Sequence, residues 1–172
     1  MLCDSPWQYI YGWQFHGEAA IHSTRANFDD DNTEALLLID ATNAFNSINR
    51  TAMLHNLKHL CPTIAQCVKN SYQSPSRLFV QGGLEIASSE GKTQGDLLVS
   101  TSYSIAILPL LQKCETPNVK QGAFADDIRG SGKLASLHNW WLSIEEIGPK
   151  YGYFPKASNS WLITKPDMVE AA

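Results

Sequence analysis

The chain has 172 residues, enough for one domain with a real core, and its 44% hydrophobic and 17% charged content excludes a disordered tail or a coiled coil. A net charge of −4 excludes a basic nucleic-acid clamp over most of the surface while leaving room for a local basic groove. The four cysteines (Cys3, Cys61, Cys67, Cys114) form no CxxC pair, the start MLCDSPWQYIYGW has no signal-peptide pattern, and the apolar stretch Tyr103 to Leu111 is too short to span a bilayer. A soluble, intracellular protein of the nucleus or cytoplasm, with reduced thiols and no membrane partner, is the expectation.

In chain order, the aromatic segment up to Phe15 suggests an edge strand, and His16 to Phe28 fits a helix with one apolar side. The run Asp29-Asp30-Asp31-Asn32 ends it as a solvated acidic loop. Leu36 to Ile39 is a short continuous apolar run, the pattern of a strand buried on both faces, and it delivers Asp40 at its C-terminal end. Asn49 is placed to cap a helix over 50–60 that turns Ala52, Met53, Leu57 and Leu60 inward, and Pro62 opens another helix ending near Tyr72. RLFVQGGLEIA reads as two strands joined by a two-residue Gly82-Gly83 turn. GKTQGDLL then leads from a glycine-containing loop into a helix ending near Lys113, apolar nearly all round and therefore central.

GAFADDI, from Gly122 to Ile128, follows as strand, tight turn and strand with Asp126 and Asp127 at the bend. Adjacent carboxylates repel unless water or a cation screens them, and hard oxygen ligands on a rigid turn suit Mg²⁺. A helix from Leu134 to Ile147, a strand from Trp161 to Thr164 and an acidic, frayed tail complete the chain. His55 and His59, four apart, with Cys61 and Cys67 behind them, form a second constellation, but Pro62 and the gap to Cys67 are poor zinc-finger spacing. Surface histidines and buried cysteines are expected there, as is a solvated face at Glu145-Glu146.

DATNAFNSI, TQGD, FADD and GYFPKASNSWLITK, in this order over residues 16 to 165, resemble the palm motifs of reverse transcriptases, most nearly the non-LTR retrotransposon (LINE-like) type. The resemblance implies an α/β (α+β), polymerase palm-like fold, a small antiparallel sheet with helices packed on one face. It implies one reverse-transcriptase-like domain over 1–172, with partial fingers over 1–33, the palm over 34–165 and no thumb. The implied activity is RNA-directed DNA polymerisation: two Mg²⁺ ions (Mn²⁺ as a substitute) serve the attack of a primer 3′-hydroxyl on a dNTP. Asp40, Asp126 and Asp127 become the catalytic and metal-binding carboxylates, with Asp40 and Asp126 bridging.

Ala41, Phe45, Gln94 and Gly95 become the substrate-facing set. Phe45 stands against the sugar, where a bulky ring excludes a 2′-hydroxyl, and Gln94 and Gly95 lie beside the templating pair. The implied partners are an RNA template with a DNA primer, and dNTPs. The chain departs from the family in carrying Leu97 for a proline and Asn159 for a lysine that serves the pyrophosphate, with Lys156 and Lys165 nearby. None of the early arginines, Arg25, Arg50 and Arg77, is an evident phosphate clamp. A catalytically silent palm remnant of a mobile element is the alternative reading.

Overall fold

The computed structural model describes residues 16–93 and 98–171, so the expected N-terminal edge strand, Gln94, Gly95 and Leu97 lie outside the described residues. Along the chain run α1 (His16–Asp29), β1 (Ala35–Ile39), α2 (Ala44–Ser47), α3 (Arg50–Leu60), α4 (Pro62–Tyr72), β2 (Ser76–Val80) and β3 (Leu84–Ser88). There follow α5 (Val99–Lys113), β4 (Val119–Phe124), β5 (Asp127–Gly132), α6 (Leu134–Ile147) and β6 (Trp161–Thr164). Short 3₁₀ turns cover Gly148–Tyr151, Ala157–Asn159 and Pro166–Ala171, so the tail expected to fray is wound instead.

The main sheet has the order β4-β5-β1-β6 and is antiparallel throughout, while β2 and β3 form a separate hairpin. Strand side chains alternate between faces. Ala35, Leu37 and Ile39 therefore share one face with their partners Gly132, Gly130 and Ile128, and Leu36 and Leu38 share the other with Ser131 and Arg129. The first face is the core face. Trp140 of α6, 2% exposed, lies where a side chain on Gly130 would go, at 2.6 Å from a built Cβ, so glycine at 130 makes room for the indole. The indole Nε1 donates to Gln121 Oε1 at 3.0 Å, satisfying its one donor.

α5 lies at the centre of this face. Tyr103, Ile107, Leu108, Leu110 and Leu111 are fully buried, each of the four aliphatic burials contributing about 1.5–3 kcal/mol. The helix contains Pro109, which cannot donate to the Ile105 carbonyl, and Asn56 Nδ2 bonds the neighbouring Ala106 carbonyl at 3.1 Å. The expected palm-like architecture, a small antiparallel sheet with helices packed on one face, is the one adopted. In addition α1 crosses the opposite face, where Ala20 is buried beside Leu38 and Arg129.

The Asn49 cap forms as expected, its side chain accepting from Ala52 N at 2.9 Å. Three expectations need correction. The β2–β3 turn spends three residues, because Val80 pairs with Leu84 and Gly83 N closes on Val80 O at 3.1 Å. Both glycines take positive φ (101° and 86°), but Gln81 is drawn into the loop with them. Leu60 is 36% exposed, since α3 ends there and α4 starts two residues on, before a full turn can cover it. Asp30 is more than a solvated loop residue. Its carboxylate binds Lys120 Nζ at 2.7 Å, its carbonyl accepts from Lys165 Nζ at 2.7 Å, and the Lys120 bond holds its carboxyl at about 2.

Candidate active site

β4 and β5 are joined by a two-residue turn, Ala125-Asp126, because Phe124 pairs with Asp127. Such turns demand a positive φ at their first central position, and Ala125 supplies it at 53°, a conformation that costs an L-residue about 1–2 kcal/mol. Asp126 sits at the tip and Asp127 opens β5. In the β1–β5 register Ile39 faces Ile128, so one further residue sets Asp40 opposite Asp127 on the face away from the core. Carboxylates 87 positions apart in sequence are thus brought to one corner of the sheet.

The corner is electrostatically crowded. Asp127 reaches solvent, yet the packed turn thins the water around it, and with Asp126 and Asp40 beside it the carboxyl is pushed up; Arg129 pulls in the other direction. A cleft of about 460 Å³ opens over this face, lined by Leu38, Asp40, Phe124, Asp127, Asn159 and Trp161. A larger cleft of about 710 Å³ lies across the sheet between α6 and β6, against Leu37, Leu134, Trp141 and Leu162. It is mainly apolar and holds none of the three aspartates.

The GYFPKASNS segment carries the Asp40 end of β1. Thr42 N donates to Phe154 O (2.9 Å), Lys156 N to Asp40 O (2.8 Å) and Asp40 N to Ser160 Oγ (3.2 Å), and Ala41 bridges Pro155. Asn159 Nδ2 donates to the Asp40 carboxylate at 3.0 Å. Gly152 is required by close approach. It has φ 76°, and a Cβ there would meet Ser47 O at 2.0 Å. Tyr153 follows, fully buried, its hydroxyl at 3.4 Å from both Ile39 O and Asp126 O, so one phenol links the strand bearing Asp40 to the turn bearing Asp126. Burial and the nearby acids push this phenol well above the usual tyrosine range.

Phe45, on α2, is half-buried and packs against Tyr103 of α5, ring centroids 4.7 Å apart and tilted by 50°. Ala41 is 7% exposed, so the backbone is what it offers at the corner. Gln94 and Gly95 are outside the described residues, but both flanks of their segment are pinned. Lys92, 3% exposed, has its Nζ bonded to Leu98 O at 3.0 Å and to Ser102 Oγ, and Thr93 N donates to Tyr72 Oη at 3.3 Å. Arg50 is buried, its guanidinium donating to the carbonyls of Ser88, Glu90 and Gly91 at 2.8–3.1 Å. Arg50 is therefore a structural clamp, while Arg25 pairs with Asp29 (3.7 Å) and Arg77 with Glu85 (3.0 Å).

Residues singled out by their sequence context did not include Arg129, Tyr103 or Tyr153. Arg129 lies two positions past Asp127, a spacing that places both on one strand face; the two tyrosines stand out only as polar tips in apolar surroundings.

The donor set at the corner, three carboxylates crowded by one another, has the hard-oxygen chemistry of a Mg²⁺ site. As their side chains stand, no group of three His, Cys, Asp or Glu among the described residues converges on one point, and Asp40 is turned to Asn159. The same holds at His55 and His59. Their rings meet at 4.5 Å, tilted by 57°, in solvent, Cys61 is half-buried and Cys67 is exposed rather than buried as expected, because it faces outward from α4. Among the described cysteines Cys114 is the buried one, its thiol pushed up to about 11 by burial. No described helix is long and apolar enough to cross a membrane.

No protein-family model matches this chain, and no curated protein matches it. Solved structures do. Telomerase from Candida Tropicalis in complex with the TWJ fragment of telomeric RNA superposes with a TM-score of 0.70 at 12% identity, over 96% of this chain and 31% of that one. Apo telomerase from Candida Tropicalis gives 0.68 at 11%, over 95% and 34%. Telomerase from Candida albicans with the TWJ fragment gives 0.69 at 10%, over 94% and 32%. The chain thus spans about a third of these telomerases. At such identity the likeness is one of fold, and the fold is palm-like.

Proposed function

We propose that this chain carries the catalytic palm of an RNA-directed DNA polymerase of the non-LTR retrotransposon type, adding dNTPs to a primer 3′-hydroxyl on an RNA template. The observation that carries the reading is that Asp40, just past the end of β1, and Asp127, at the start of the neighbouring β5, line one cleft, with Asp126 in the turn between β4 and β5. Two Mg²⁺ ions, or Mn²⁺ in their place, held by Asp40, Asp126 and Asp127 would activate the 3′-hydroxyl and stabilise the leaving pyrophosphate oxygens. The chain's own residues do the positioning. Tyr153 ties the two carboxylate-bearing elements together, and the Ala41 backbone fixes the exit of β1. Phe45, backed by Tyr103, presents a ring that a 2′-hydroxyl would meet, and Gln94 and Gly95 serve the templating pair. The telomerases of similar fold are found with telomeric RNA, which supports an RNA partner here. Such a partner places the protein in the nucleus or cytoplasm.

A second reading has a specific observation in its favour. Asn159 engages the Asp40 carboxylate with a neutral amide where the resemblance places a lysine, which suits a silent palm remnant. Primer extension on an RNA template with dNTPs and Mg²⁺, run beside Asp126→Asn, separates the two. Extension lost in the variant supports the polymerase. No extension and no difference in Mn²⁺ binding between the two proteins leaves the remnant.

A further inference from the structure

Tyr103 has a feature that core packing does not explain. Its side chain is fully buried, and its hydroxyl has no hydrogen-bond partner. Burying a hydroxyl unpaired is destabilising, whereas phenylalanine would make the same ring contact with Phe45 without that cost. The neighbourhood shows what the hydroxyl could serve. Tyr103 lies on the central helix, near enough to the aspartate turn for the Asp126 charge to act on its phenol. Tyr153, the adjoining buried phenol, feels Tyr103 together with Asp126, Asp127 and Asp40. Tyr153 has a single proton, aimed between two backbone carbonyls at 3.4 Å, and so leaves the Asp126 carboxylate without a donor from below. Asp40, by contrast, has its donor in Asn159.

We propose that Tyr103 is a positioning residue whose hydroxyl donates to the Asp126 carboxylate when the three acids turn together onto divalent cations, fixing the rotamer that points at them. Its polar tip is idle in the cation-free chain and engaged in the loaded one. The helix behind Phe45 thereby serves the acidic corner as well as the ring that faces the sugar. This inference rests on the polymerase reading of the acidic corner.

The test is Mn²⁺ affinity by electron paramagnetic resonance on the 172-residue chain, for wild type, Tyr103→Phe and Asp126→Asn, with thermal unfolding of each in the absence of metal. Tyr103→Phe is expected to unfold at the wild-type temperature or above it, because it sheds an unpaired polar atom. It is expected to weaken Mn²⁺ binding by about tenfold, the effect of losing a hydrogen bond to a charged group. Unchanged Mn²⁺ affinity in Tyr103→Phe, with binding lost in Asp126→Asn, overturns this inference and leaves the polymerase reading standing. A large fall in the metal-free unfolding temperature also overturns it, since the hydroxyl would then be structural. Equal Mn²⁺ binding by wild type and Asp126→Asn overturns both.

Discussion

Asn159 holds Asp40: its amide nitrogen lies 3.0 Å from the carboxylate, at the position where the reverse-transcriptase resemblance places a lysine. A neutral amide orients the acid without adding charge. Asn159→Lys would set an ammonium beside Asp40 and compete electrostatically with a divalent cation. The expected result is a severalfold higher Mg²⁺ requirement for primer extension, with a faster rate once Mg²⁺ saturates. A Mg²⁺ titration of both proteins checks this, and an unchanged midpoint would show that the new side chain does not reach Asp40.

Asp127 makes stability depend on pH. Burial at the turn, with Asp126 and Asp40 beside it, raises its folded pKa above 3.8, so the native state binds the proton more tightly than the unfolded chain. Its contribution is fully present below 3.8 and is lost as pH rises through the raised value. Asp30 runs the other way. Lys120 pulls it to about 2, so its contribution is present above 3.8 and is lost as pH falls toward 2. In thermal unfolding without divalent ions, Asp127→Asn is expected to remove the decline above pH 3.8 and to melt higher than wild type at neutral pH. Asp30→Asn should melt lower than wild type above pH 3.8 and lose the wild type's decline toward acid.

Ala125 carries a φ of 53° so that the turn can be two residues long. Ala125→Gly should relieve that strain and stabilise the fold by about 1 kcal/mol. A β-branched residue tolerates the left-handed region poorly, so Ala125→Val should destabilise by about 1–2 kcal/mol. Urea midpoints of the two variants, measured against wild type, decide the ranking. The reverse order would mean that the turn has rearranged.

Arg50 joins α3 to the segment after β3 through the Ser88, Glu90 and Gly91 carbonyls, with its guanidinium also 5.3 Å from the Tyr72 ring centroid. Arg50→Met keeps the bulk but strands those carbonyls, and should cost about 3 kcal/mol. Arg50→Lys should recover less than half of the loss, because an ammonium lacks the planar fork that reaches three carbonyls at once. Hydrogen exchange should show the largest loss of protection between 84 and 93, with β1 unaffected.

The element pattern was legible in the chain itself. The apolar run ending in Asp40, the Asn49 cap, Pro62, and the bounds of α6 and β6 follow from local periodicity and capping, which depend on neighbours a few residues away. The FADD turn and its two strands are local in the same sense. Sequence could not choose between a two- and a three-residue β2–β3 turn, because Gln81-Gly82-Gly83 satisfies both and only the Val80–Leu84 pairing decides. Nor could it show that Asn159 bonds Asp40 across 119 positions, that Asp30 reaches Lys120 across 90, or that Tyr103 buries an unpaired hydroxyl. Sequence by itself determined which elements form and which carboxylates they carry. The tertiary structure alone decided which of them meet, because strand register and helix packing bring distant side chains together by burying apolar surface.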